Sequence, residues 1–217
     1  MEYFYNLFRG CAVGAVAAGL IFELRMHTVL PEKRTIRLFP IRCTDSGRGT
    51  KNLIYDNYDT TVNETDGMDL ELPELRIRRL ELKTKPQANS YCTPDSSNFP
   101  SVDSLLFSKP PDSTRPILLM FRMTRSLTHD TKVSALKNVD GLGLSSDVRR
   151  YYVAVTPWNV HTQINVPMAY FTPAKNLKKA MESPNEVFPV FHHPVLPTDL
   201  FPKRGLQRAI LDDETAM

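Results

Sequence analysis

The chain has 217 residues, of which 41% are hydrophobic, enough for one domain with an ordinary core or one domain with a small appendage. Its 27 Lys and Arg against 24 Asp and Glu leave a net charge of +3, so composition predicts no polybasic surface and no nucleic-acid partner. Three cysteines exclude a disulfide scaffold, and 17 Pro against 9 Gly favours extended segments over glycine-rich phosphate loops.

The first distinctive feature is an uncharged apolar segment from Gly10 to Phe22, with the sequence GCAVGAVAAGLIF. With its flanking residues it would form a helix ~33 Å long, which matches a bilayer core of about 30 Å. Tyr3 and Tyr5 at one end and Arg25 at the other are typical of membrane-interface flanks, while Arg9 would reach the headgroups or a partner protein.

Three interpretations of this segment are open. A cleaved signal peptide fits poorly, because Glu2 precedes the only basic residue before the apolar run. A helix buried in the core of a soluble domain remains open, because the run is short. We expect the third, an uncleaved single membrane span, with residues 1–30 forming the transmembrane helix and its flanks.

Small residues recur at every fourth position of this segment. They form two adjacent ridges, Gly10, Gly14 and Ala18 beside Cys11, Ala15 and Gly19. Such ridges let helix backbones approach closely, which drives helix association in lipid. We expect these six residues to form a helix-packing face, although Gly- and Ala-rich spans also contain this spacing by chance.

The rest of the chain, 31–217, is predicted to be an extramembrane region of the α+β class, β-rich and laced with prolines. Strands are predicted at Thr35–Cys43, Leu70–Lys83, Ile117–Met123, Tyr151–Val155 and Val166–Thr172. Helices are predicted at Thr131–Asn138, Ala174–Ser183 and Thr198–Asp213. Two proline-rich stretches, 86–116 and 184–202, are predicted to be long irregular loops held by partner proteins.

The sequence offers no standard catalytic or metal-binding motif: HExxH, CxxC, GxSxG, a Walker loop and GxGxxG are all absent. We therefore expect no catalytic residue, no metal and no cofactor. His192 and His193 lie between prolines and indicate a surface turn or a subunit contact, and Trp158 is predicted to be a packing or interface anchor. Cys43 and Cys92 could form a disulfide in an oxidising compartment.

Residues 1–34 carry a family resemblance in their aromatic lead-in, small residues and charged exit. One set is similar to the smallest single-span subunit of the cytochrome bc1 complex: Tyr5, Leu7, Phe8, Arg9, Ala18, Gly19 and Glu23. Another is similar to the MWFE subunit of complex I: Gly10, His27, Lys33 and Arg34. The chain thus resembles single-span accessory subunits of mitochondrial respiratory complexes. The resemblance implies no cleavable presequence, one crossing of the inner membrane, and other subunits and membrane lipid as partners.

From the segment and this resemblance together we expect a non-catalytic accessory subunit of a mitochondrial inner-membrane respiratory-chain complex. It would stabilise assembly through helix packing and through extended contacts of its proline-rich region. Three alternatives stay open. They are an accessory subunit of ATP synthase or another organelle membrane complex, a membrane-anchored enzyme with an unrecognised active site, and a soluble binding module whose first helix is buried in its own core.

Overall fold

A computed structural model describes residues 12–45, 51–57, 67–94, 99–109, 115–158, 160–171 and 174–200. Its helices are α1 (Ala12–Val29), α2 (Val133–Asp140), α3 (Ala174–Glu182), α4 (Pro184–Val187) and α5 (Pro197–Leu200), with a 3-10 turn at Met168–Tyr170. The first six strands are β1 (Arg34–Ile41), β2 (Cys43–Asp45), β3 (Asn52–Asp56), β4 (Met68–Leu72), β5 (Arg76–Leu80) and β6 (Ser90–Pro94). The other six are β7 (Ser104–Ser108), β8 (Ile117–Met123), β9 (Thr128–Asp130), β10 (Arg149–Pro157), β11 (Gln163–Pro167) and β12 (Val190–Val195).

The strands form two sheets. The larger has eight strands in the order β4-β1-β12-β10-β8-β7-β6-β5, and the smaller has four in the order β2-β3-β11-β9. In the middle of the larger sheet, β8, β10 and β12 run parallel, while β1 and β7 flank them antiparallel. β1 passes through Arg42 directly into β2, so one extended segment joins the two sheets.

Chain connectivity forces the larger sheet to curl. β4 and β5 stand at opposite ends of the strand order, yet only residues 73–75 separate them. In a flat eight-stranded sheet the outer strands would lie about 34 Å apart, whereas the step from Leu72 to Arg76 spans at most ~14 Å. The link touches both sides of the gap, because the Leu75 N–H donates to the Pro31 carbonyl at 2.9 Å and the Arg76 N–H donates to the Asn89 carbonyl at 3.3 Å. The sheet is therefore a half-barrel.

α1 fills the inside of this half-barrel. Its buried side chains Ala18, Phe22 and Met26 follow one another at four-residue intervals and so share one face of the helix. They belong to a single core with side chains from β1, β4, β6, β7, β8, β10 and β12. One helix about 10 Å across can share a core with so many strands only because the sheet wraps around it.

The other face of the larger sheet carries a second core, formed with the smaller sheet and helices α2 and α3. β8 shows how the two cores are separated. Leu119 and Phe121 belong to the core around α1, while the alternate residues Leu118 and Met120 belong to the second core. A strand covered on both faces is apolar at successive positions, which explains the run ILLMF.

The predicted fold class, a single transmembrane helix followed by an irregular α+β extension, is wrong. Among the residues that the structure describes, no helix is long and apolar enough to cross a membrane. The apolar segment does form a helix, but α1 continues through Glu23, Arg25 and His27, and its apolar face is core for the curled sheet. The described chain is β-rich with few helices.

Several predicted elements are confirmed and others are misplaced. Ile117–Met123 is a strand with the predicted bounds, and the helix predicted at Ala174–Ser183 is α3. The strand predicted at Leu70–Lys83 is interrupted at 73–75, because there the chain crosses from one sheet edge to the other. The stretches 86–116 and 184–202 contain short strands: the partly buried β6 and the buried β7 in the first, and the half-buried β12 in the second. Of the helix predicted to run to Asp213, residues 201–213 lie outside the described residues.

If α1 is core, shortening one of its inward side chains must destabilise the whole domain. We expect Phe22→Ala to lower the free energy of unfolding by about 3–5 kcal/mol, because it leaves a cavity between α1 and the sheet. Thr28→Ala, on the exposed side of the same helix, should change it by less than about 0.5 kcal/mol. Urea denaturation followed by circular dichroism measures both, and equal effects of the two variants would refute the placement of α1.

Candidate functional site

The outward side of α1 exposes a row of large apolar side chains. Val16, Leu20 and Leu24 are 70%, 57% and 66% exposed, and their four-residue spacing places them on one face of the helix. We call these three residues the α1 stripe. Single exposed apolar residues are common on protein surfaces, but aligned ones indicate an interaction surface.

The helix backbone is approachable beside the stripe. A Cβ atom added to Gly19 would meet no atom within 4 Å, so the space next to Leu20 is open. Ala17 and Ile21, on the other flank, are only half-buried. Small neighbours around exposed large residues form the ridges and grooves with which two helices interlock.

The structure divides the residues that the sequence predicted as a helix-packing face. Gly14 and Ala18 are buried, and Ala18 packs in the chain's own core, while Gly19 lies beside the stripe. Ala15 lies within α1. Gly10, Cys11 and the predicted interface residues Tyr3, Tyr5 and Arg9 lie outside the described residues. Arg25, also predicted at the membrane interface, donates a hydrogen bond from Nε to the Leu200 carbonyl and so joins α1 to α5.

Sequence reasoning missed the stripe, although a signal for it exists. Val16 and Leu20 belong to the apolar segment, whose composition alone does not show the direction in which each side chain points. Placed on a helix, these apolar residues separate into one row at 18, 22 and 26, which is buried, and one at 16, 20 and 24, which is exposed. Two apolar rows on one helix indicate two neighbours, of which the sheet is the first.

A second candidate is a cavity of about 220 Å³ where β1 and β12 meet the ends of β3 and β10. Trp158 lies exposed at its mouth, and Asn57, His161 and His192 line it. His192 and His193 lie within β12, between β1 and β10, so the predicted surface turn is wrong.

The hydrogen bonds around this cavity fix the state of His192. Asn57 Oδ1 accepts from the Thr162 N–H at 2.7 Å, so the amide nitrogen of Asn57 donates to His192 Nδ1 at 3.3 Å. His192 Nε2 therefore carries the proton and donates to Thr156 Oγ1 at 2.7 Å, and that hydroxyl donates to the Pro157 carbonyl at 3.0 Å. Burial, together with the nearby His193 and His161, lowers the pKa of His192 to about 4. The imidazole is thus a neutral structural group that links the two sheets.

A third candidate lies at the carboxyl end of β8, where one ion pair is nearly buried. Arg122 NH1 donates to Asp103 Oδ1 at 2.6 Å, and the Met123 N–H donates to Asp103 Oδ2 at 2.6 Å. Burial raises the pKa of Asp103, while the Arg122 charge and the Met123 hydrogen bond act in the opposite direction. The carboxyl ends of parallel strands are where α/β sheets bind ligands.

α1 brings two more titratable groups to the same place. His27 Nδ1 lies 2.8 Å from the Tyr91 hydroxyl, and His27 Nε2 lies 3.7 Å from Glu23 Oε1. The hydrogen bond with His27 lowers the pKa of Glu23, although burial opposes this. The charges of Glu23 and His27 also act on Asp103. We call Glu23, His27, Asp103 and Arg122 the α1–β8 cluster.

These arrangements do not include a recognisable metal centre. Within the described residues, no three His, Cys, Asp or Glu side chains are grouped so that they could hold a metal ion. Cys43 and Cys92, for which a disulfide was possible, are not bonded to each other. Burial raises the pKa of the Cys92 thiol, which disfavours the reactive thiolate.

Comparison with protein-family models, with curated protein sequences and with solved structures finds no match to this chain.

The buried histidines predict how stability depends on pH. Burial lowers the pKa of both His192 and His129 to about 4, and Arg122 adds to this effect at His129. The unfolded chain, with histidine pKa values near 6.5, binds protons that the folded chain excludes. Stability should therefore fall as the pH decreases from about 6.5 to about 4.

Thermal unfolding between pH 7 and pH 5 measures this loss. His192→Gln removes one of the titrating groups and should make the decrease in Tm with falling pH shallower than in the wild type. Thr28→Ala, at an exposed residue that carries no titratable group, is the control and should leave the slope unchanged. Identical slopes for His192→Gln and the wild type would contradict the assignment of His192 as a buried neutral group.

Proposed function

We propose that this chain is a non-catalytic protein-binding subunit that associates through the α1 stripe. The observation that carries the proposal is the exposed row of Val16, Leu20 and Leu24 on a helix whose opposite face is already buried in the core. Covering this row would remove apolar surface from water without rearranging the sheet, because α1 is held in place from the other side.

The occupant that fits the stripe is α1 of a second copy. With a two-fold axis at Leu20, two antiparallel helices would place Val16 of one copy opposite Leu24 of the other. Ile21 would come over Gly19, where the space is open, and Glu23 would face Ala17. This pairing brings no like charges together and sets large side chains against small ones. Such complementarity allows the axes of two helices to approach to about 8–10 Å.

The assignment to a mitochondrial respiratory-chain complex remains a prediction. It rested on residues 1–34, of which 1–11 lie outside the described residues, and on a membrane-spanning helix that is now corrected. The alternative of an ATP synthase accessory subunit also remains a prediction. What carries over to the present proposal is the class of non-catalytic subunit that works by helix packing.

The proposal predicts the mass of the protein in solution. By size-exclusion chromatography with light scattering, the wild type should have twice the chain mass of 24.7 kDa, and Leu20→Glu should have the chain mass itself. The substitution places two carboxylates opposite each other at the two-fold axis, in an environment that excludes water. Leu127→Glu, at a residue that is 71% exposed between β8 and β9, should remain dimeric.

Leu20→Glu and Leu127→Glu should both unfold at the same urea midpoint as the wild type. The midpoints are compared at one protein concentration, at which all three proteins are monomeric. A wild type that is monomeric across a concentration series, or a Leu20→Glu variant that is still dimeric, would refute the α1 interface.

A second candidate function is favoured by the α1–β8 cluster: an enzyme that acts on an anionic substrate. Arg122 would attract the anion, and the ionised Glu23 would hold His27 in position for proton transfer. Hydrolysis of p-nitrophenyl phosphate, which is an anion, tests it. Turnover by the wild type that is lost in His27→Gln and kept in Leu127→Glu would favour the enzyme; no turnover would favour the non-catalytic subunit.

A further inference from the structure

β5 has an open edge. Within the described part of the chain, it is an outer strand of the larger sheet and pairs only with β6, in parallel. The Arg76 N–H donates toward β6, to the Asn89 carbonyl. Because main-chain groups of successive strand residues point in alternate directions, the N–H and C=O groups of Ile77 and Arg79 face the open side. β5 thus presents a short row of hydrogen-bonding groups that another strand could use.

The open edge is also strongly basic. Residues 76–85 carry five basic side chains against Glu81 alone, a surplus of +4 in a chain whose total is +3. The five are Arg76, Arg78, Arg79, Lys83 and Lys85, and all are exposed. Among the described residues, none of these five forms an ion pair with an acidic side chain. Their charges are therefore available to a partner.

The side chains of β5 give this edge a pattern. Arg76 and Arg78 lie on one face of the strand, and Ile77 and Arg79 lie on the other, because strand side chains alternate. Ile77 is 64% exposed, although Leu75, two residues earlier in the chain, belongs to the core. A strand added at this edge would place alternate residues beside the two arginines and the intervening residue beside Ile77.

We propose that the free edge of β5 binds an extended acidic segment of a partner protein as an added strand, with acidic residues beside Arg76 and Arg78 and an apolar residue beside Ile77. This binding goes beyond the α1 interface and uses a different element. Main-chain hydrogen bonds to Ile77 and Arg79 supply affinity, and the arginines select the charge of the segment.

A polypeptide fits this edge better than the other polyanions do. The open N–H and C=O groups pair in register with a peptide backbone, which neither a nucleic acid nor a lipid headgroup possesses. Residues 76–85 contain no aromatic side chain on which bases could stack. Charged residues on an edge strand also prevent sheets from aggregating. The arginines repel a basic strand, and a neutral strand would have to desolvate them without compensation. An acidic strand is the kind that gains from pairing here.

Fluorescence anisotropy with the full chain tests the proposal. The probe is a labelled peptide of alternating Glu and Val, and the comparison peptide has the same sequence with N-methyl groups on the amides of one edge. We expect the unmethylated peptide to bind, and methylation to weaken binding by about tenfold or more, because it removes hydrogen bonds and leaves the charge unchanged. A peptide of alternating Lys and Val should not bind.

The variant Arg76→Glu/Arg78→Glu should weaken binding by about tenfold or more. The control variant Lys132→Glu/Lys137→Glu makes the same change of charge at two exposed residues, one just before α2 and one within it, and should not weaken binding. Two results would overturn the proposal that β5 binds an added strand. One is equal affinity for the methylated and unmethylated peptides. The other is displacement of the labelled peptide by poly-uridine or phosphatidylserine vesicles at a lower concentration than by unlabelled peptide. Leu20→Glu should bind the peptide like the wild type, so failure of the α1 interface and failure of this site are separate results.

Discussion

The packing of α1 against the inside of the curled sheet is the interaction on which the rest of the structure depends. The short link between β4 and β5 brings the two ends of the sheet close together and so creates a concave apolar face. That face cannot be filled by the sheet's own side chains alone. Phe22 and Met26 of α1 fill it, and each such burial contributes about 1.5–3 kcal/mol. Helix and sheet therefore stabilise each other, because without the other each would expose an apolar face to water.

The same packing determines where the candidate sites lie. Because Ala18 and Phe22 point into the sheet, Leu20 and Leu24 must point away from it. One further turn along the helix, His27 is placed beside the Tyr91 hydroxyl, and Glu23 is placed where its charge acts on Asp103. The stripe and the α1–β8 cluster are thus two consequences of one helix orientation. A substitution that rotated α1 would disturb both together, whereas Leu20→Glu should disturb the stripe alone.

Local sequence was sufficient to predict an element when both of its faces have the same environment. Ile117–Met123 is apolar on both faces because both faces are covered, so its strand could be predicted with correct bounds. The helix of the N-terminal segment was also predicted, but its surroundings were not. An apolar helix has the same composition whether lipid chains or strand side chains cover it. The residues that share a core with Ala18, such as Phe121 and Val153, lie far away in sequence.

The missed strands and the edge of β5 have a similar cause. β7 is only SLLFS, and short buried strands next to proline-rich segments cannot be distinguished from irregular chain by periodicity. β5 lies within the strand predicted at Leu70–Lys83, yet its Ile77 is exposed. Burial at an edge strand depends on the order of strands in the sheet, which the local sequence does not contain. Composition could not predict the α1 stripe or the β5 edge, because each surface exists only where the folded chain leaves these residues uncovered.

The two proposed surfaces differ in their physical basis, and this difference makes them separable. Burial of Leu20 and its neighbours draws on the hydrophobic effect, which added salt does not weaken and which excluded salts such as sulfate strengthen. Attraction of an acidic strand to Arg76 and Arg78 falls as salt screens the charges, with a Debye length of about 10 Å at 0.1 M. A chain that used both surfaces at once would keep its α1 contact at high ionic strength and release the acidic segment. Self-association and peptide capture would then respond in opposite directions to the same change of solvent.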